Sequence, residues 1–129
     1  MWKEVSFRQQ QRCNHVHELE RMIQSISATE LAAMLRSEKP PRLLDVREPH
    51  EFEIASIPGA VLAPLGQIPD QIEELERLRS EPVVVYCHLG VRSLHAINFL
   101  QHSGFNNLMN LSGGIDAWSR EVDPKTPRY

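Results

Sequence analysis

No apolar run in this 129-residue chain approaches the roughly 20 residues that a membrane-spanning helix needs, so no membrane span or membrane partner is expected. No long basic stretch is present, and the formal net charge is -3, which offers no electrostatic footprint for nucleic acid. Cysteine is scarce. Two residues, Cys13 and Cys87, allow one disulfide arithmetically but do not make a cysteine-dense secreted scaffold. The first ten residues are polar and lack the apolar core of a signal peptide, so reduced thiols in the cytoplasm are expected. There is no internal repeat and no low-complexity segment. What remains is an ordinary globular balance, 41% hydrophobic and 24% charged, long enough for one domain with one core.

The pattern divides the chain into an extension (1–23), a domain (24–122) and a C-terminal tail (123–129). The extension is rich in Gln, Arg, Glu and His, and is expected to pack loosely; Val16, Leu19 and Ile23 have weak helical spacing. Ser27 to Glu30 reads as a capping box before a helix carrying Leu31, Met34 and Leu35. Arg42 to Val46 reads as a buried strand, Pro49 to Ile54 as one helical turn, and Ala60 to Leu62 as a short strand after the Pro58-Gly59 turn. Ile68, Ile72 and Leu75 predict an amphipathic helix with Pro69 in its first turn. Val83 to Tyr86 is apolar without alternation, as a central parallel strand covered on both faces would be. A helix over Ser93 to His102, a strand over Asn107 to Leu111 and a short helix opened by Gly113-Gly114 complete the order. Strands alternating with helices predict an α/β fold, a parallel sheet with helices on both faces.

The segment "CHLGVRS" places Cys87 at the carboxyl end of the central strand, the edge where open α/β sheets carry their sites. Gly90 permits a backbone turn with positive φ, so that several loop amides can face inward as an anion nest. The helix that follows adds its positive end at the same point. A thiol placed there should ionise more readily than usual, which makes Cys87 a candidate nucleophile and not merely a small buried hydrophobe. Arg92 supplies planar donors for an oxyanion. A cation at a helix start is disfavoured by the dipole and therefore needs an anion as its reason. His88 leaves the strand in a different direction from Cys87 and is expected at the loop rim instead of acting as a base.

Four residues, His88, Leu89, Gly90 and Val91, separate Cys87 from Arg92, with Ser93 next. A cysteine phosphatase would have five before its arginine. The smaller cradle suits a sulfur atom carried on Cys87 better than a tetrahedral phosphate. "CHLGVRS" resembles the active-site loop of single-domain rhodaneses, the rhodanese-like sulfurtransferase family. "LLDVREPHEFEIASIPGA" (residues 43–60) and "LSGGIDAW" (residues 111–118) resemble that family's Asp-Val-Arg strand with its Ile-Pro-Gly-Ala turn and its closing Gly-Gly helix. The family often has Gly-His where this chain has Ala55-Ser56, so a local difference is expected there. "EVDPKTPRY" (residues 121–129) resembles the tail of rhodanese domains appended to sulfur-carrier-activating enzymes.

The resemblance implies a rhodanese-like fold with a five-stranded parallel sheet. It implies sulfur transfer from a donor such as thiosulfate to a thiophilic acceptor through a Cys87 persulfide, with residues 88–93 around the donor. The partners implied are a small sulfur donor, thiosulfate or a persulfide, and a thiol or sulfur-carrier protein as acceptor. Asp45 and Arg47 would sit near the loop as supporting residues, with Asp45 orienting loop amides, pairing with an arginine, or simply closing the strand. No metal or organic cofactor is required. Two rivals stand beside this expectation: a small cysteine phosphatase or arsenate reductase, and a docking module that keeps the fold without catalysis. Cys13, His15 and His17 form a short possible ligand tract but lack a fourth ligand, so a polar extension is the expected reading.

Overall fold

A computed structural model describes residues 16–129. Five short strands form one parallel sheet in the order β1-β5-β4-β2-β3. They are β1 (Ser25–Ile26), β2 (Arg42–Asp45), β3 (Val61–Leu62), β4 (Val83–Tyr86) and β5 (Leu108–Leu111). Residues 16–22 form helix α1. Helices α2 (Ala28–Leu35), α3 (Pro49–Ile54), α4 (Arg92–His102) and α5 (Gly114–Glu121) follow in the connections.

The central strand explains the layering. Side chains of a strand alternate between faces. Val83, Val85 and then Cys87 belong to one apolar cluster, with Leu94, Ile97 and Leu100 of α4. Val84 and Tyr86 belong to the other, with Leu31 of α2 and Ile115 of α5. Both faces of β4 are therefore covered, which is why the sequence shows no polar alternation there. Ser27 caps α2 as its spacing predicts, its hydroxyl accepting from the Glu30 amide at 3.1 Å.

Three elements differ from the expectation. The helix predicted around Ile68, Ile72 and Leu75 consists of two 3-10 segments, Leu65–Gln71 and Glu76–Leu78. Pro69 has no N–H to give to the carbonyl four residues back, and the segment opens on a tighter bond from the Gln67 amide to the Pro64 carbonyl. Ile68 and Leu75 are buried all the same. Strand β1 was not anticipated, since two residues show no periodicity; it exists through its pairing with Asn110 and Leu111. In the stretch expected to pack loosely, Leu19 and Ile23 are buried in the same apolar cluster as Val83 and Ile97. Cys13, His15 and the first ten residues lie outside the described residues. His17 faces Glu20 at 3.5 Å on an exposed surface.

Candidate functional site

The carboxyl edge of the sheet gathers β2, β4 and the first turns of α4 and α5. Cys87 follows β4 directly and is 1% exposed. The Gly90 N–H donates to its Sγ at 3.1 Å. Gly90 makes that turn at φ 104, a conformation that an L side chain resists. Several inward amides were expected; among the described residues this is the backbone donor bonded to the sulfur.

Ser93, on the first turn of α4, brings its hydroxyl to 3.5 Å from the sulfur. The same hydroxyl donates to Asn110 Oδ1, and Asn110 Nδ2 reaches the Gly90 carbonyl at 3.4 Å. The Ser93 proton is committed to Asn110, so this hydroxyl is not a donor to the sulfur. Cys87, Gly90, Asn110 and Ser93 thus close a ring of polar contacts beneath the loop. Asn110 is buried in the core strand β5, a costly place for an amide unless both ends are bonded.

The outer side of the loop is held by α5. The Ile115 amide donates to the Cys87 carbonyl at 2.9 Å, and the Asp116 amide donates to that of His88 at 3.1 Å. Gly114 lets the chain pass this close. A Cβ on Gly114 would overlap the carbonyls of both Cys87 and His88.

Arg92 starts α4, and its reason is now visible. Its Nη1 and Nη2 donate to Glu51 Oε1 and Oε2 at 2.7 and 2.8 Å. The anion that the helix start calls for comes from the protein itself, from the short helix α3, so in this structure the guanidinium is not a set of free donors awaiting an oxyanion. Glu51 also accepts from the Tyr129 hydroxyl at 2.7 Å and the Glu48 amide at 3.2 Å. Arg92 above all, then Tyr129 and the Glu48 amide, hold the Glu51 carboxyl down at about 2, against the opposing effect of burial. Arg92 is raised in turn, chiefly by Glu51.

Asp45 and Arg47 lie beside this pair, both fully buried. Arg47 Nη2 donates to Asp45 Oδ2 at 2.6 Å and to the Ala55 carbonyl at 2.6 Å. Its Nε reaches Asp45 Oδ1 at 3.0 Å, and its own amide donates to the same oxygen at 2.9 Å. Of the roles left open for Asp45, two are present together: it pairs with an arginine, and it ends β2 with its carboxylate accepting the Arg47 amide. Burial works against the Arg47 charge, yet Asp45 and Tyr129 outweigh it and raise the group further. At Tyr86, burial and then the Asp45 charge push the phenol up, so it stays protonated.

His88 stands at the rim, its ring stacked on Tyr129 with centroids 4.1 Å apart and planes 12° from parallel. Leu89 and Val91 point outward, 60% and 45% exposed. A cleft of about 320 Å³ lies behind the loop between Glu20, Leu89, Gly90, Asn110 and Ser112.

The residues expected at the site, Cys87 to Ser93 with Asp45 and Arg47, are therefore neighbours. Sequence reasoning missed Glu51, Asn110, Gly114 and Tyr129. Glu51, Gly114 and Tyr129 lie in stretches that carried the resemblance, which was a signal of place without a role. Asn110 was readable only as a polar residue in an otherwise apolar strand.

The profile of the rhodanese-like domain matches residues 27–121. The chain belongs to the rhodanese-like domain family. It is 35% identical over 103 residues to a sulfurtransferase of Allochromatium vinosum, an alignment covering 80% of this chain and 94% of that protein. It is 44% identical over 92 residues to the rhodanese-like/PpiC domain-containing protein 12 of Arabidopsis thaliana, covering 68% of this chain and 30% of that one. A rhodanese-like domain protein of Staphylococcus aureus superposes with a TM-score of 0.70 at 30% identity, covering 83% of this chain and 99% of that one. The chain spans only about a quarter to a third of several larger relatives, including adenylyltransferase and sulfurtransferase MOCS3 of Arabidopsis thaliana, at 25%. The α/β architecture with a five-stranded parallel sheet is thus the rhodanese fold. Among the described residues, no helix is long and apolar enough to cross a membrane.

Proposed function

We propose that this rhodanese domain is a sulfurtransferase in which Cys87 carries the sulfur. The observation that supports it best is the Gly90 N–H aimed at Cys87 Sγ from 3.1 Å, in a loop whose Cys87 and His88 carbonyls are tied back to α5. A fixed backbone donor stabilises negative charge on a sulfur, whether a thiolate or the outer atom of a persulfide.

The first step takes the thiolate to the outer sulfur of thiosulfate. The new S–S bond forms as the old one breaks, and sulfite leaves with the electron pair. In the second step a thiolate acceptor attacks the outer persulfide sulfur and Cys87 leaves as thiolate, so no external oxidant is consumed. The split reaction predicts ping-pong kinetics. In this reading residues 88–93 form the loop around the transferred sulfur, and Arg92, held by Glu51, fixes the far end of that loop. The several relatives named as joint adenylyltransferases and sulfurtransferases favour a sulfur-carrier protein as one acceptor. The free thiol of Cys87 fits a reducing, cytoplasmic setting.

A docking module is the second reading, favoured by the near-complete burial of Cys87. Intact-mass spectrometry after incubation with thiosulfate separates the two. One added sulfur atom on the peptide carrying Cys87, absent in Cys87→Ser, is expected. A wild-type protein that gains no sulfur from thiosulfate or from a small persulfide removes the transfer reading.

A further inference from the structure

The tail turns back along α5 and reaches the site at its last two residues. The Asp123 amide donates to the Trp118 carbonyl at 3.0 Å, and the Thr126 amide to the Asp123 carbonyl at 3.0 Å. Arg128 Nε reaches Asp116 Oδ1 at 3.0 Å, on the residue whose amide holds the His88 carbonyl. These contacts deliver Tyr129 to the junction of three segments. Its hydroxyl accepts from Arg47 Nη1 at 2.7 Å and donates to Glu51 Oε2 at 2.7 Å, while its ring lies flat on His88.

We propose that Tyr129 is a positioning residue for the Cys87 loop, a role that rests on the sulfur-transfer reading above. The argument is mechanical. Arg47 is immobilised by Asp45 and the Ala55 carbonyl, so the oxygen it binds is a fixed point. A planar ring anchored there is a wall for whatever stacks on it. His88 stacks on it, one residue after the nucleophile and two before the amide that meets the sulfur. Helix α5 restrains the carbonyls of Cys87 and His88; Tyr129 restrains a side chain.

The phenol can play this part at ordinary pH. Burial and Glu51 raise it above its usual value, against the lowering effect of Arg47, so it remains a donor to Glu51. The Asp45–Arg47 and Glu51–Arg92 pairs are each neutral within themselves, so a neutral phenol joins them without leaving an uncompensated charge.

The test compares the full chain with Tyr129→Phe and Tyr129→Ala. Three quantities are read: amide exchange of the peptide spanning residues 87–92, the rate of sulfur loading from thiosulfate, and Tm. In Tyr129→Ala, exchange in that peptide should rise about tenfold with the rest of the chain unchanged, and loading should slow about tenfold. Tyr129→Phe keeps the ring and loses its anchor, so it should fall between wild type and Tyr129→Ala on both readouts. Loop exchange within about twofold of wild type in Tyr129→Ala overturns the proposal, as does a uniform rise in exchange with a lowered Tm. A wild-type chain that loads no sulfur defeats the transfer reading alone, because loop exchange still reports whether Tyr129 orders the loop.

Discussion

Glu51 meets Arg92 across 41 residues of sequence, with both carboxylate oxygens on both terminal nitrogens. The pair fastens α3 to the first turn of α4, so the loop between Cys87 and Arg92 is held at its far end. Glu51 is nearly buried, whereas the Arg92 side chain is 37% exposed, which moderates the strength of the pair.

Replacing Glu51 by Gln should cost about 2 kcal/mol at neutral pH, since one charged partner is lost and an amide N–H faces a guanidinium. The pH dependence has a definite sign. The carboxyl is lowered in the folded protein from 4.5 to about 2, so its stabilisation is present above 4.5 and is lost as pH falls toward 2. Denaturant melts of wild type and Glu51→Gln should therefore converge across that acid window and diverge above it. A gap that stays constant from pH 7 to the acid limit removes the pair as its source.

Gly114→Ala should destabilise the protein by more than about 2 kcal/mol and lower sulfur loading, because the new methyl overlaps the carbonyls of Cys87 and His88. The backbone there also has φ +59, which adds strain to the overlap. Thermal melting and the loading rate measure the two effects. A Gly114→Ala protein with unchanged Tm would show that α5 does not press on the loop.

Asn110→Ala removes both contacts that tie β5 to the loop. The Ser93 hydroxyl then loses its acceptor, and the Gly90 carbonyl loses a donor. A loss of about 1–3 kcal/mol is expected, together with slower sulfur loading. If Asn110→Ala loads sulfur at the wild-type rate, the polar ring beneath Cys87 has only a stabilising role.

Tyr86→Phe probes the face of β4 opposite to Cys87. The Tyr86 hydroxyl accepts from the Ile57 amide at 3.1 Å, both residues being buried. Removing it leaves that amide unpaired at a cost of about 1–3 kcal/mol. Chemical denaturation should show this loss while sulfur loading of the folded protein is preserved.

Much of the scaffold was written locally. An unbroken apolar run marked β4, Ser27 marked the start of α2, and Pro49 lies at the start of α3, because each depends on residues a few positions apart. Pro69 was visible too, but periodicity said α-helix where the missing N–H imposes a tighter winding. The loop "CHLGVRS" announced a nucleophile, and its arginine called for an anion. The identity of that anion was not written there.

Sequence order by itself determined the strand–loop–helix around Cys87 and the small ring that four intervening residues permit. Only the tertiary structure decided that Glu51 would engage Arg92, that Asn110 would close the polar ring, and that Tyr129 would reach His88. Those partners are far apart along the chain, and no local preference encodes them. Their contact exists because parallel pairing brings the ends of β2, β4 and β5 to one edge, where buried polar groups must satisfy one another.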